Sequence, residues 1–473
     1  MRFAIPTLVL TFAIGACVPR RTVAVVPAPP PVEDLVAAIG HGCYRCLEQA
    51  YDVAQARGVR PLAFEAAALL VLRSKELGLS YAPWLERVRA LAAADASSAL
   101  VLAIVDAAPV DPLTDREASL NVGGRAKARA AVPGWRQDLQ TASGSEALRA
   151  YLELSLICSF QGAPERETSL AAARWPEAPL VQYRIGSCAS SHGKTLTELR
   201  AGDEAFVDAD LALGRFALDN GASPDQDEAL RRFQSALSAF PNSPALATTL
   251  GLLYQAREEW PQALTAFDAA LAESPGHVDA SLGRTISLSN LGRREEAIDT
   301  ATRMIVAGQW FVGEALYWRA WNELQLNQLT AARNDADRAL TMVANAPMFV
   351  LSGLIDWRLR RLDTAEEEFQ RALTMDFGQC EAAHYLGVVR AERANLPEAT
   401  AALMQARQCY DLSLTLRREA IDKILGGPAT AAAKARETAK QERAIKDIEG
   451  RRQEVVQGLE AIERAAGARP AAQ

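Results

Sequence analysis

Histidine is scarce in this sequence, with four among 473 residues, at His41, His192, His277 and His384. Metal centres and general acid–base sites draw on that residue more than on any other, and four scattered imidazoles leave little to build either from. Positive charge is not in excess: the formal net charge is -7 and the pI near 5.5. That balance argues against a general nucleic-acid surface or one for anionic membranes, since both need clustered lysine and arginine. Recognisable catalytic contexts are missing as well. "GHGC" and "SHGKT" are glycine-containing turns rather than phosphate loops, because the spacing from glycine to lysine is wrong. No serine nucleophile or pair of catalytic carboxylates has a matching context. The expectation is a protein that is not an enzyme, with no cofactor and no bound metal.

Seven cysteines are present, and their placement separates them. In "GHGCYRCLEQ" the residue after Cys46 is Leu47, where a haem attachment site needs histidine, and no strand precedes the pair as a thioredoxin-like site would require. His41, Cys43 and Cys46 offer three zinc ligands with no fourth close in sequence. The preferred reading is a helix-borne disulfide or structural thiols, with metal binding as the alternative.

Cys17 stands apart. It follows Arg2 and "FAIPTLVLTFAIGA", a stretch too short and too punctuated to span a membrane but with the charged start, apolar middle and small-residue end of a secretion signal. Ile14, Gly15, Ala16 and Cys17 resemble the lipobox of bacterial lipoproteins. That resemblance implies removal of residues 1–16, lipid attachment at Cys17, and a membrane anchor. The alternative is an ordinary signal peptide with an incidental cysteine. No acidic residue directly follows Cys17, which favours the outer membrane, on its periplasmic face. The next segment, residues 17–33, carries five prolines between Val18 and Asp34. Proline holds a chain extended at about 3.1 Å per residue, so it reads as a tether reaching up to about 45 Å.

The second half is repetitive. In "PALATTLGLLYQAREEWPQALTAFDAALAESPGH", residues 244–277, Leu250, Gly251, Tyr254, Ala263, Phe267, Ala270 and Pro275 stand at fixed spacing. The alanine equivalent to Ala263 recurs as Ala229, Ala297, Ala332, Ala365 and Ala399, at intervals of 34, 34, 35, 33 and 34 residues. This pattern resembles the tetratricopeptide (TPR) family. The resemblance implies an all-α fold, an α-solenoid of helical hairpins, with six units over residues 210–413. Each hairpin cannot bury its own apolar face and must stack on its neighbours. Two units depart from the pattern, one with Thr285 and Ala301, the other with Glu323 in place of an aromatic.

Residues 34–209 keep helical period and alanine richness in degraded form, and read as atypical hairpins continuing the solenoid, or as a separate helical domain. Residues 414–466 read as C-terminal helices and 467–473 as a disordered tail. Within the former, Ile445, Ile448, Arg452, Val455, Leu459 and Ile462 form a narrow stripe suited to a capping helix or a coiled coil.

Six cysteines remain beyond Cys17. Cys380 opens the first helix of its hairpin and Cys409 closes the second, so antiparallel packing brings them together; closing that loop stabilises by roughly 3 to 4 kcal/mol. Cys158 and Cys188 sit near the ends of consecutive first helices and suggest a similar bond, or else two small buried residues. In the TPR family the first helices line a concave face through fixed positions. The fifth and ninth are occupied here by Thr248, Leu252, Leu282, Ile286, Tyr317, Trp321, Val350, Leu354, His384 and Val388. The basic residues with which some members grip a terminal carboxylate are absent from them. An apolar, aromatic-centred groove suits an amphipathic or extended apolar peptide, unless the chain's own helices cover it. The function expected is a membrane-anchored periplasmic scaffold with protein partners, in envelope assembly, secretion or pilus biogenesis. The alternatives are an enzyme or metal protein with its site in residues 33–209, and a purely structural oligomer.

Overall fold

The structure is a computed structural model, and it describes residues 35–467 apart from 111–114, 161–164, 177, 189–192, 220–222 and 309. The signal-like stretch, Cys17, the proline-rich segment, His192 and residues 468–473 lie outside the described residues. All regular structure among the described residues is helical. In order, the first helices are α1 (Leu35–His41), α2 (Tyr44–Ala56), α3 (Arg60–Leu77), α4 (Ala82–Leu91), α5 (Ala96–Ala107), α6 (Arg116–Ser119) and α7 (Val122–Leu139). Hairpins follow: α8 (Glu146–Phe160) with α9 (Glu165–Arg174), α10 (Pro179–Cys188) with α11 (Gly193–Gly202), and α12 (Ala209–Asp219) with α13 (Ser223–Ala239). The most regular pairs are α14 (Pro244–Ala256) with α15 (Trp260–Glu273), α16 (Val278–Asn290) with α17 (Arg294–Ala307), and α18 (Val312–Gln325) with α19 (Leu329–Met342). Next come α20 (Ala346–Arg358) with α21 (Leu362–Met375), α22 (Cys380–Glu392) with α23 (Leu396–Gly426), and finally α24 (Ala431–Gly467). No described helix is long and apolar enough to cross a membrane.

The turns inside the hairpins explain the periodicity. Between α14 and α15, Glu258 adopts φ 58°. Its amide bonds Gln255 O, while those of Arg257 and Glu259 bond Leu253 O and Tyr254 O. Left-handed residues recur at Gly292, Asn327, Arg360 and Ala394, one per unit. Only one of the five is glycine, so the neighbouring helices impose a conformation that a side chain resists. Gly58, between α2 and α3, has the same amide pattern through Val53, Ala54 and Gln55. A degraded sequence therefore still folds there as a hairpin of the repeat type.

Between hairpins the packing is tight. Phe267 is fully buried, flanked by Gly251 of its own hairpin and Gly283 of the next; a Cβ added at Gly251 would lie 2.6 Å from the ring, and one at Gly283 closer still. Phe369 fills the same place beside Gly353. The alanines at 263, 297, 332, 365 and 399 are all 0% exposed, which lets the helices of each pair meet at close range.

The two ends depart from a simple stack. The early helices also pack consecutively, α1 with α2, α3 with α4, and α5 with α7, which leads on to α8. Here α3 additionally meets Tyr183 of α10 and Asp208 beside α12, and it is buried on every side from Ala63 to Lys75, and again at Leu77, rather than along one stripe only. Its buried residues include Glu65, Arg73, Ser74 and Lys75. Gly78, at φ 67°, ends this helix, and its carbonyl accepts from Ser243 Oγ at 3.1 Å. At the other end α23 runs on for 31 residues and pairs with α24 as a long arm. Arg418 meets Glu449 at 2.9 Å, and Arg452 meets Asp411. Val455, Leu459 and Ile462 are buried against Leu403, Ala406 and Tyr410, so this part of α24 caps the stack. The same helix reaches back to the first regular units: Arg436 binds Asp227 at 2.7 Å, Lys440 the carbonyl of Ala256 at 2.9 Å, and Arg443 Glu258 at 2.7 Å. The arm joins the two ends of the arc formed by α13 to α23.

Candidate functional site: the inner face of the repeats

Along the inner face, burial divides the positions inferred from the repeat register. Thr248 is 0% exposed, and its Oγ1 finds no partner among the described residues. Val350 and Leu354 are buried in the core around α20. His384 is buried between Tyr385 and Tyr410, where Glu454 and Arg451 of α24 face it, and burial pushes its imidazole below the usual range. These positions are closed by the chain itself. Leu252 is 41% exposed, whereas Leu282, Ile286, Tyr317, Trp321 and Val388 are half-buried. The open stretch thus runs from α14 through α16 to α18, with half-buried Val388 on α22 separated from it by the closed positions of α20.

One flank of that stretch is set by the N-terminal region. Arg116, at the start of α6, donates through Nε to Asp279 Oδ2 at 3.2 Å and lies 4.5 Å over the ring of Phe311. Residues far apart in sequence therefore frame the open part of the face. Burial pushes the Tyr317 phenol up, so it remains a neutral donor on an apolar surface.

The unit with Glu323 carries a titrating group. Glu323 stands on α18 where Tyr254 stands on α14, and is 7% exposed with Oε2 unpartnered. Asp335 of α19 faces it but is engaged by Arg319 at 2.7 Å. Burial first, and the Asp335 charge second, push the Glu323 carboxyl up from its ordinary 4.5 to about 7. A raised carboxyl binds its proton more tightly in the folded state, so its contribution to stability falls as pH rises from about 4.5 through about 7. Glu323→Gln is expected to melt like the parent at about pH 5 and to be more stable by about 2 kcal/mol at about pH 8. Thermal unfolding at the two pH values checks this; an equal shift at both would place the carboxylate in water.

The structure joins Cys158 to Cys188 and Cys380 to Cys409, each with Cα atoms 5.4 Å apart. The first bond ties α8 to α10 and the second ties α22 to α23. Cys43 and Cys46 are also joined, at the start of α2, where Cys43 Sγ accepts from the Cys46 amide at 3.1 Å. His41 Nδ1 lies 3.2 Å from Cys46 Sγ, and its Nε2 meets Asp203. The three residues named as zinc ligands are therefore together, within 4.8 Å of one another. Both sulfurs are committed to each other, and the carboxylate nearby turns the imidazole rather than completing the ligand set. Sequence reading missed Asp203, and nothing local to that residue signals it.

No family model and no curated protein matches the chain. Solved structures do. YrrB, described as a TPR protein with an unusual peptide-binding site, is 22% identical over 37% of this chain and 91% of its own, with TM-score 0.32. A tetratricopeptide repeat protein from Parabacteroides merdae is 18% identical over 56% of this chain and 99% of its own, with TM-score 0.36. Yeast Tom70 is 12% identical over 90% and 92%, with TM-score 0.34. At such identities a likeness concerns fold alone. The described residues of the chain form an all-α array of stacked helical hairpins.

Proposed function

We propose that this chain is a protein-binding scaffold tethered by a lipid at Cys17 to the periplasmic face of the bacterial outer membrane, and that it serves envelope assembly, secretion or pilus biogenesis. The observation that carries the binding role is the division of the inner face. Thr248, Val350, Leu354 and His384 are buried, the last facing α24, while Leu252, Leu282, Ile286, Tyr317 and Trp321 stay at least partly open. An apolar strip with an aromatic centre is suited to an amphipathic or extended apolar segment of another protein.

Aromatic anchors commonly dominate such contacts, so Trp321→Ala is expected to weaken partner binding by about 2 kcal/mol. Because the ring is only half-buried, the melting temperature should change little. Crosslinked recovery of partners from membranes, compared with melting, checks both; a variant that melts normally and recovers the same partners removes the groove from the proposal. For the anchor, Cys17→Ser is expected to release the protein from membranes without altering its fold. Sedimentation of that variant with membranes, with no labelled palmitate entering the parent, would sink the lipid anchor.

A further inference from the structure

Where α3 packs against the helices that follow it, a cleft remains. A space of about 270 Å³ lies between α3, α8, α10 and α12, and its lining includes the apolar Leu72, Val110 and Leu211. Its polar side is out of keeping with a chain of net charge -7: Lys75, Arg184 and Arg215 line it, with Glu76 as the one acid among the lining residues.

Arg184 is under-satisfied. Its side chain is only 9% exposed. Its Nε donates to Ser155 Oγ at 3.2 Å and its Nη1 to Ser187 Oγ at 3.3 Å, while Nη2 has no partner among the described residues. Glu76 does not close the account, because its short bond is from the Tyr151 hydroxyl at 2.7 Å. Arg184 and Arg73 stand 3.4 and 3.8 Å from its carboxylate, beyond the roughly 2.7–2.9 Å of a charge-assisted hydrogen bond. Behind the cleft wall Arg73 is fully buried; Asp208 takes its Nη2, and its Nε and Nη1 are left without a hydrogen-bond partner. Lys75 is held at the rim by the carbonyls of Val105 and Ala108 at 2.8 and 3.0 Å. Burial lowers its ammonium to about 8, which leaves it cationic at neutral pH. A buried guanidinium with an open donor, beside further cations and an apolar wall, is a site for an amphiphilic anion.

We propose that this cleft binds a small aliphatic carboxylate, with its oxygens held by Arg184 through Nη2, Arg215 adding positive charge beside it, and its hydrocarbon against Leu72, Val110 and Leu211. A monoanion fits better than phosphate, because Glu76 already offsets part of the positive charge and one wall is apolar. A planar carboxylate also matches the guanidinium fork.

The test uses the full chain and calorimetry at fixed ionic strength, with hexanoate, its neutral analogue hexanamide, and inorganic phosphate as probes. Saturable, single-site binding of hexanoate is expected, with none for hexanamide. Glu76→Gln removes the competing carboxylate and is expected to tighten hexanoate binding by about tenfold, while Arg184→Gln weakens it by at least about as much. A merely structural cluster would not produce opposite signs. Should Arg184→Gln fail to fold, Glu76→Gln together with Arg184→Lys, which keeps the charge but loses the planar fork and is expected to weaken binding, decides the matter. Equal binding of hexanamide, preference for phosphate, no saturable hexanoate binding at millimolar concentration, or no tightening in Glu76→Gln would each overturn the proposal.

Discussion

Phe267→Ala is expected to destabilise the repeat array by about 3 to 5 kcal/mol, the range for deleting a fully buried aromatic side chain. The ring is the filler between two hairpins, so the cavity opens at an interface between units rather than within one. Stacked repeats are stabilised largely by such interfaces, and the unfolding transition should broaden as units on either side uncouple. Gly283→Leu attacks the same place from the other helix: its side chain would be driven into the ring, and overpacking of that kind costs about 1 to 3 kcal/mol. Combined, the two changes should offset each other, because the leucine enters the space the phenylalanine left. Urea unfolding of the two single variants and the double variant gives a coupling energy. Strict additivity would show that Gly283 does not face Phe267.

Asp208→Ala is expected to cost about 3 to 5 kcal/mol, because it strands the fully buried Arg73 without its carboxylate. Arg73 also lies 3.4 Å over the Tyr183 ring, but a cation–π contact does not replace an ion pair. Adding Arg73→Met to Asp208→Ala should recover much of the loss, since buried ion pairs replaced by apolar side chains are often neutral. Circular dichroism melts of the single and double variants provide the check. If Asp208→Ala melts like the parent, Arg73 must reach solvent, and the burial of α3 against α10 and α12 would be wrong.

The lesson for reading such a chain lies in which contacts are local. Ala263 recurs in every unit, and Phe267 as Phe233 and Phe369, because each hairpin solves the same packing problem with its nearest neighbours, within one repeat length. The meeting of Cys380 and Cys409 follows from the same local packing. Glu323 could be seen to break the pattern, though not to sit buried against Asp335. The sequence also suggested which inner-face positions form a groove, but not which of them are covered.

By itself, then, the sequence determined the class of fold, the register of the hairpins and the apolar character of the inner face, because all three follow from side chains one or two helical turns apart or one repeat apart. Only the tertiary structure decided where that face is open. The pairing of Arg73 with Asp208 spans 135 residues, and that of Arg436 with Asp227 spans 209. A charged residue inside the apolar run around Arg73 signals that a partner is needed, but sequence distance carries no information about which carboxylate meets it. The burial of α3 and the reach of α24 come from such long-range choices, made by the burial of charge and apolar area together.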